Sequence, residues 1–430
     1  MNKYLKRALQ VLAVLIVLVG CVLLFMSYLA EREEPVPGRA VANGGAQVAR
    51  GRYLALAGNC AACHTARGGA PYAGGREVQT PFGSVYSSNL TADPQSGLGA
   101  WNADDFWRAL HHGKSRDGRL LYPAFPYPNY TKVTRADADA LFAYLKTLVP
   151  VAQPNRAHAL RFPYDSALLL AAWRAFYFRP RVFEPDPGRD AQWNRGAYLV
   201  QGLGHCNACH TSRDPLGGSN LKADLAGGLI PVLNWYAPAL TADPKEGLGR
   251  WESRHLVSLL KTGVSEKGAV YGPMAEVVYK SLQYLSDDDA QAMAGYLKSL
   301  PANTTSPSDA PPSAESMARV MEAGGQLYAR HCADCHGANG GGFTAAYPPL
   351  AGNHSLTMAS AVNPIRLVLN GGYPPGTAGN PRPYGMPPFR LVLGNDEVAA
   401  VVTYIRNSWG NQAGPVSSVE VGRYAAVPLE

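Results

Sequence analysis

The chain has 430 residues, enough for roughly two to four compact domains that each bury a core of their own. Only 17% of its residues are charged, glycine (45) and proline (34) are plentiful, and the formal net charge is +7. This composition favours short helices joined by ordered loops over disorder, and it lacks the basic, aromatic-interleaved runs typical of nucleic-acid-binding proteins.

The first predicted element is an apolar stretch near the amino terminus. Residues 8–30 contain no charged side chain, and a helix of this length can cross a bilayer core of roughly 30 Å. Basic residues precede the stretch and glutamates follow it. The positive-inside tendency therefore predicts a single-pass anchor in a bacterial inner membrane, with the rest of the chain on the periplasmic side. The alternatives are a cleaved signal peptide and a lipoprotein signal at Cys21.

Beyond this stretch the chain divides into segments of different composition. An apolar run at 168–178 predicts a helix that packs between domains, with docking of a partner or contact with a membrane as the alternatives. A Pro/Ser/Thr-rich stretch further along is typical of a semi-flexible linker. We expect domains at 45–150, 191–300 and 317–410, a helical connector at 151–190, a linker at 301–316 and a carboxyl-terminal tail at 411–430.

Six of the seven cysteines lie in three identical C-x-x-C-H patterns. Two thiols on one helical turn can each bond a haem vinyl group, and the histidine that follows then lies beside the iron. Disulfides would not require the histidines, and a zinc site needs four ligands close together. The patterns predict three covalent haems c, attached at Cys60 and Cys63, Cys206 and Cys209, and Cys332 and Cys335, with His64, His210 and His336 as proximal iron ligands.

Shorter repeats surround these patterns. A helical segment precedes each one, and another helical segment containing Tyr144, Tyr296 or Tyr404 ends each domain. The first two domains also share a loop that begins Leu-Thr-Ala-Asp-Pro, at 90–101 and 240–251. This order of elements resembles the class I cytochrome c domain three times over. The fold expected from the resemblance is all-α: three tandem class I cytochrome c domains after one transmembrane helix.

Two methionines stand where such a domain provides the sixth iron ligand. Met274 follows Tyr-Gly-Pro, and Met386 lies in Tyr-Gly-Met-Pro-Pro. A thioether at this position favours ferrous iron, although either methionine could instead fill a core. Proline-flanked loops are poor places for core residues, so we expect both methionines to bind iron.

The first domain lacks such a methionine. Its corresponding loop carries Phe125, and no methionine occurs between Met26 and Met274. The first haem therefore has another sixth ligand or none, and His111 and His112 are the candidates.

The resemblance also implies residues around the iron ligands. The carbonyl of Pro349, and of Pro81 in the first domain, would accept a hydrogen bond from the proximal imidazole. Trp101 and Trp251 would donate to haem propionates, with core packing as the alternative.

Over essentially its whole length the chain resembles the triheme cytochrome c subunits of membrane-bound periplasmic dehydrogenases. The resemblance rests on the attachment patterns, the repeated loop and the segments 193–198, 271–276 and 404–410. It implies no catalytic residue in this chain. A separate subunit with PQQ, flavin or molybdopterin would oxidise the substrate, and the haems would carry electrons to ubiquinone or a terminal oxidase. The alternatives are a haem enzyme of peroxidase or reductase type with an open first haem, and a cytochrome oxidase subunit.

Overall fold

The computed structural model describes residues 3–7, 10–11, 14, 20, 44–302, 314–343 and 346–425. The chain forms two compact units. The first comprises Met1–Leu54 and Cys63–Glu184, and the second comprises Ala55–Ala62 and Pro185–Glu430.

The elements up to residue 184 are short helices with one small antiparallel sheet. The sheet has the strand order β1-β2-β3, and Val78 pairs with Val85 in its longer ladder. The helices are α1 (Gly45–Ala57), α2 (Cys60–Cys63), α3 (Ala103–His112), α4 (Tyr127–Tyr130), α5 (Arg135–Leu145) and α6 (Ala167–Tyr177), and the strands are β1 (Glu77–Thr80), β2 (Gly83–Tyr86) and β3 (Ala159–Leu160).

The following elements up to residue 302 repeat this plan with two hairpins of very short strands, β4 with β5 and β6 with β7. A π-helical turn at Leu199–Leu203 continues the first helix. The helices are α7 (Ala191–Tyr198), α8 (Asn207–His210), α9 (Ser253–Thr262), α10 (Pro273–Lys280) and α11 (Asp287–Ser299), and the strands are β4 (Gly228–Ile230), β5 (Trp235–Ala237), β6 (Val264–Ser265) and β7 (Gly268–Ala269).

The last described stretch is helical. Its core includes Val421 of the final helix, so part of the predicted carboxyl-terminal tail packs into this core. The helices are α12 (Ala314–His331), α13 (Ala333–His336), α14 (His354–Thr357), α15 (Val362–Asn370), α16 (Asn395–Arg406) and α17 (Ser418–Ala425). Most of the predicted linker, residues 303–313, lies outside the described residues.

One close helix crossing occurs three times, and each crossing depends on a glycine of the leading helix. Each leading helix presents a glycine to the backbone of the helix that ends its domain, next to the repeated tyrosine. A methyl group on the glycine would lie within 2.3 Å of a carbonyl oxygen on the partner helix, so only glycine allows this approach. The pairs are Gly51 with Ala140 and Tyr144, Gly196 with Ala292 and Tyr296, and Gly324 with Ala400 and Tyr404.

The helices that end the predicted domains, α5, α11 and α16, each begin after a defined N-cap residue. Thr134 and Ser286 accept hydrogen bonds from the third backbone N–H of α5 and α11, as N-cap residues do. In α16 the N-cap is Gly394, whose N–H donates to the carboxylate of Glu397.

The shared Thr-Ala-Asp-Pro loop has the same internal bonds in both copies. The carboxylate of Asp243 accepts from the N–H groups of Lys245 and Glu246 at 2.9 and 2.6 Å, and Asp93 makes the equivalent bonds in the first copy. These bonds hold the pKa of Asp93 below its usual value, with the Ser96 N–H contributing most. A lysine from the terminal helix, Lys146 or Lys298, then donates to two carbonyls at the far end of its loop.

The helix predicted at 168–178 is present as α6, and its buried face contacts other residues of the first unit. Arg174 on this helix is almost fully buried and donates to the carbonyl oxygen of His112 at 2.7 Å. Its guanidinium lies 5.1 Å from the ring of Tyr127, and Phe178, just after the helix, meets the same ring edge-to-face at 4.7 Å. These contacts pack the helix against residues 112–127, whereas Leu168, Leu169 and Phe176 on it are exposed. Packing between domains stays a prediction.

Within the second unit, the segments around 236–262 and 353–380 pack against each other. The side-chain amide of Asn363 pairs with the backbone of Tyr236 in both directions, at 2.9 and 2.8 Å. The buried carboxylate of Glu246 accepts from the N–H of Ala359 at 3.1 Å. Because each bond satisfies a backbone group of one segment with a side chain of the other, these two parts of the chain have a defined docking.

The structure corrects two parts of the predicted fold class. Small antiparallel sheets accompany the helices, so the fold is not all-α. No helix within the described ranges is long and apolar enough to cross a membrane, and the prediction of a single-pass membrane anchor and its localisation is therefore not upheld. The longest described helix, α12, carries four charged side chains before its final histidine, as suits a helix packed on one face only. Most of 8–30, the predicted anchor, lies outside the described residues.

Candidate haem-binding sites

Each attachment pattern forms one short helical turn, as the spacing of the cysteines predicts. The turns are α2, the Cys206–His210 turn around α8, and the Cys332–His336 turn around α13. The six thiols are free of disulfide bonds. Burial raises the pKa of Cys206 to about 12 and that of Cys332 to about 11, which keeps both thiols protonated. The cysteine pairs are thus without disulfide bonds and spaced for thioether bonds to a haem.

The three histidines of the patterns share one hydrogen bond. In each, the ring Nδ1 lies against a backbone carbonyl, and a carbonyl can only accept, so Nδ1 carries the proton. The other nitrogen, Nε2, then keeps its lone pair and is the atom able to bind iron. Burial lowers the pKa of all three imidazoles, which favours the neutral form that ligation needs. The pairs are His64 with Ser88 O (2.7 Å), His210 with Pro238 O (2.7 Å) and His336 with Pro348 O (3.2 Å).

Two predicted carbonyl partners are therefore wrong. The carbonyl of Pro349 accepts from the side-chain amide of Asn353, and Pro348, one residue earlier, faces the imidazole. In the first domain, Pro81 accepts from Arg161. Because backbone carbonyls of adjacent residues in extended chain point in different directions, a motif can place the loop without identifying the carbonyl that is used.

Three glycines that the sequence interpretation missed hold the same arrangement. Each lies in the left-handed region and donates its N–H to the carbonyl oxygen of the proximal histidine itself, at 2.8 or 2.9 Å. A methyl group on any of them would press on the backbone of the segment that accepts from the imidazole. They lie 10, 17 and 6 residues after their histidines, so no fixed spacing could have revealed them: Gly74 (φ 77°), Gly227 (φ 87°) and Gly342 (φ 65°).

The two predicted methionine ligands lie in different local structures. Met274 is the second residue of α10, so it begins a helix and does not lie in the predicted loop. Met386 pairs with Gly372 through both backbone groups, at 2.8 and 3.0 Å, and packs against the core of the last helices. Each lies between its attachment turn and its terminal helix, as the sequence predicts.

In the first domain, Phe125 occupies the place of Met274. The N–H of Leu121 donates to Gly113 O at 2.8 Å, just as the N–H of Val270 donates to Gly263 O at 2.9 Å. Four residues after these matching bonds the chain reaches Phe125 in one domain and Met274 in the other. The absence of a methionine is thus a substitution at an equivalent position.

The two candidate histidines of the first domain have different surroundings. His111 is buried, its Nδ1 lies 2.8 Å from Thr131 O, and its ring stacks on Trp107 at 4.6 Å. The ring of His112 makes no hydrogen bond within the described part of the chain, and its Nδ1 is buried. Burial, followed by the nearby charge of His111, lowers the pKa of His112 to about 4. His112 therefore remains neutral at physiological pH and offers an unpaired nitrogen.

These residues fit a covalently bound haem. Paired free thiols, a neutral imidazole with a free Nε2 and, in two cases, a methionine are the donors of a c-type haem site. Haem c, when bound, supplies an iron that changes its charge by one electron, and the protein supplies the ligands and their orientation. The repeated helix crossing and these sites define a cytochrome c-type protein.

Comparison with known proteins agrees with this class. The cytochrome c family profile matches residues 48–149 and 321–409. The chain is 40% identical to the cytochrome c subunit of alcohol dehydrogenase (quinone) from Gluconacetobacter polyoxogenes, over 87% of this chain and 83% of the relative. It is 41% identical to the gluconate 2-dehydrogenase cytochrome c subunit of Pantoea cypripedii, over 86% and 87%. For the fructose dehydrogenase cytochrome subunit of Gluconobacter japonicus, the identity is 36% over 93% and 87%.

The chain accordingly belongs to the cytochrome c family, in the group of dehydrogenase cytochrome c subunits. Its cofactor is covalent haem c, and its function is electron transfer and not catalysis on a substrate. The prediction of an electron-transfer protein is confirmed.

Proposed function

We propose that this chain carries three haems c and passes electrons from a dehydrogenase catalytic subunit to ubiquinone or a terminal oxidase. The observation that supports three haems most directly is the threefold Nδ1–carbonyl bond at His64, His210 and His336. A histidine whose Nδ1 is held in this way is oriented for iron ligation through Nε2. The family profile matches only the first and last domains, so the geometry at His210 is the support for the middle haem.

The ligands follow from this assignment. The haems are attached at the three cysteine pairs, with Met274 and Met386 as sixth ligands of the second and third irons. For the first iron we propose His112, because its buried Nδ1 has no hydrogen-bond partner in the described structure. The Nδ1 of His111 instead hydrogen-bonds the carbonyl oxygen of Thr131, so we assign His111 a packing role.

Haem counting tests this proposal. The purified chain should give three haems per polypeptide in a pyridine haemochrome assay, and its mass should exceed the polypeptide mass by three haems. The double variant Cys206→Ala/Cys209→Ala should contain two. A native count of two, unchanged in the double variant, would refute the middle site.

The partner follows from the relatives, which are named as subunits of alcohol, gluconate and fructose dehydrogenases. We propose a separate catalytic subunit with PQQ, flavin or molybdopterin. The chain, purified under mild conditions with its natural partner, should show haem reduction when the partner's substrate is added. Removal of the partner should abolish this reduction, whereas dithionite should still reduce every haem. Substrate-dependent reduction by the isolated chain would instead support a haem enzyme.

The acceptor requires a separate measurement. A reduced complex should be reoxidised by a soluble ubiquinone analogue or by an added terminal oxidase. Haems that stay reduced with both acceptors would contradict this part of the proposal.

A further inference from the structure

His354, the first residue of α14, lies among residues of the middle haem domain. Its ring meets the ring of Trp251 edge-to-face at 5.1 Å. The next residue towards the amino terminus, Asn353, lies against the β6–β7 hairpin, where a methyl group on Gly268 would be 3.2 Å from its side-chain nitrogen. A short helix of the third domain thus reaches the surroundings of the second attachment site.

One nitrogen of the His354 imidazole lacks a hydrogen-bond partner there. Its Nδ1 is buried and forms no hydrogen bond within the described residues. An unpaired buried polar group destabilises the folded state, so a partner is expected for it when haem is bound. Burial, and then the charge of His210, lowers the pKa of His354 to about 4, which keeps the ring neutral.

A neutral imidazole has one N–H to donate. Haem c carries two carboxylates, the propionates, at the edge opposite its vinyl groups. Trp251, which His354 contacts, is the residue whose motif already suggests a propionate donor. A carboxylate is the strongest acceptor a buried N–H could meet at this position.

We propose that His354 of the third domain completes the pocket of the second haem by donating a hydrogen bond to one of its propionates. The proposal rests on the middle haem being attached at Cys206 and Cys209. It makes the potential of the second haem depend on the docked third domain.

The chain also connects His354 to the third haem site. His336 Nδ1 lies against Pro348 O, and the side-chain amide of Asn353, next to His354, donates to Pro349 O at 3.0 Å. His354 therefore joins the surroundings of both proximal ligands.

The test compares His354→Leu with Thr357→Val. Thr357 is on the same helix and donates from Oγ1 to Lys245 O at 3.2 Å, so its loss weakens the same docking without removing the imidazole. The midpoint potential of each haem is measured by spectroelectrochemistry on the full chain after haem counting. Without its donor, the propionate places more negative charge near the iron and favours the ferric form. His354→Leu should lower the midpoint potential of one haem. The expected change is about tenfold in its reduction equilibrium constant, which for one electron equals about 59 mV.

Two further variants keep the result decisive. His354→Gln retains an N–H donor and should restore most of the native potential. Met274→His replaces the proposed methionine ligand of the second haem and should thereby move the potential of that haem. In this background, the His354→Leu shift should appear in the titration step that Met274→His has moved. Should His354→Leu fail to retain its haems, His354→Met provides the apolar comparison.

The outcomes separate this inference from the proposed function. Three haems with unchanged potentials in His354→Leu would refute the inference alone. Equal shifts in His354→Leu and Thr357→Val would assign the effect to docking and refute the hydrogen bond. A count of two haems in the native chain, unchanged in Cys206→Ala/Cys209→Ala, would refute the proposed middle haem and with it the proposed function.

Discussion

At the scale of single residues, small substitutions distinguish otherwise similar sites. Phe125 stands where the second domain has Met274, and this one exchange changes the set of iron donors available. A methionine thioether raises the haem potential, whereas a second imidazole lowers it. The first haem is therefore expected to have the lowest potential of the three, which suits an electron entry or exit point.

Replacing Phe125 by methionine should bring the first site closer to the other two. We expect the absorbance near about 695 nm, typical of methionine-bound ferric haem, to increase by about half. The potential of one haem should rise in the same spectroelectrochemical titration. Phe125→Leu, which has no sulfur, is the control and should change neither. An unaltered spectrum in Phe125→Met would show that residue 125 does not face the iron.

The two histidines of α3 should respond differently to replacement by alanine. His112→Ala should convert one haem from low-spin to high-spin, because its proposed ligand is lost. His111→Ala should leave all haems low-spin but lower the thermal stability, because the contacts with Thr131 and Trp107 are lost. Electron paramagnetic resonance distinguishes the two results. The reverse pattern would make His111 the ligand.

Replacement by alanine should have different effects at Gly342 and at Gly352. Both have positive φ, 65° and 69°, but a methyl group on Gly342 would meet Tyr347 O at 2.4 Å, whereas on Gly352 it would meet nothing within 4 Å. Gly342→Ala should displace the carbonyl that bonds His336, weaken the imidazole as a donor and raise the potential of the third haem. Gly352→Ala should cost only the backbone strain of about 1 kcal/mol. Equal potentials in both variants would exclude this role for Gly342.

At the scale of elements, the crossing of the first and last helices organises each domain. Between α7 and α11 the crossing is reinforced by Arg195, which makes two bonds to the carboxylate of Asp289, at 2.8 and 2.7 Å. Both side chains are largely shielded, so this bidentate pair is geometrically defined in a way that exposed pairs are not. The terminal helix α16 has a further task, since Arg406 donates to the carbonyls of Met358 and Ala359. It thereby orders the segment that carries the contacts with the middle domain.

Two glycines of the middle domain test the crossing directly. A methyl group on Gly196 would lie 2.0 Å from Ala292 O, whereas Gly295, on α11, has nothing within 4 Å. Gly196→Ala should destabilise the domain by about 1–3 kcal/mol or more through overpacking. Gly295→Ala should be neutral or stabilising by up to about 1 kcal/mol, because alanine is the better helix former. Thermal unfolding of the holoprotein checks both, and equal melting temperatures would contradict the close crossing.

At the scale of the whole molecule, specific polar contacts join the segments around 236–262 and 353–380 of the second unit. Asn363 satisfies both backbone groups of Tyr236, and Arg366 lies 4.9 Å from the ring of Trp235. Such contacts fix orientation, because each hydrogen bond is lost when the segments shift. If the proposed second and third haems are bound, a fixed orientation of these segments would hold their separation constant, which favours electron transfer.

Removal of the Asn363 amide should loosen this docking. In Asn363→Ala, the N–H of Tyr236 loses its acceptor, so hydrogen exchange at 235–237 should become faster. Ser360→Ala, nearby in the same segment, should leave this exchange unchanged. Exchange at 83–86, in the first unit, is the internal reference for both. Identical protection at 235–237 in both variants would show that the amide does not hold the docking.

Much of this protein was already determined by its sequence. The attachment sites, the proximal histidines, the repeated glycines and tyrosines and the capped terminal helices follow from local rules, because a helical turn fixes which nearby side chains meet. The apolar run at 8–30 was misleading in this respect: hydrophobicity predicted an anchor, and no described helix is able to cross a membrane.

Only the tertiary structure decided which distant groups meet. It selected Ser88, Pro238 and Pro348 as the partners of the proximal imidazoles, and it revealed the left-handed glycines at irregular spacings. It also brought His354 to Trp251, across about a hundred residues of chain. Loops of different length can close onto the same carbonyl, since loop closure costs little more with each added residue. Local pattern therefore predicted the iron ligands, whereas the packing of separate segments decided which groups surround the predicted residues.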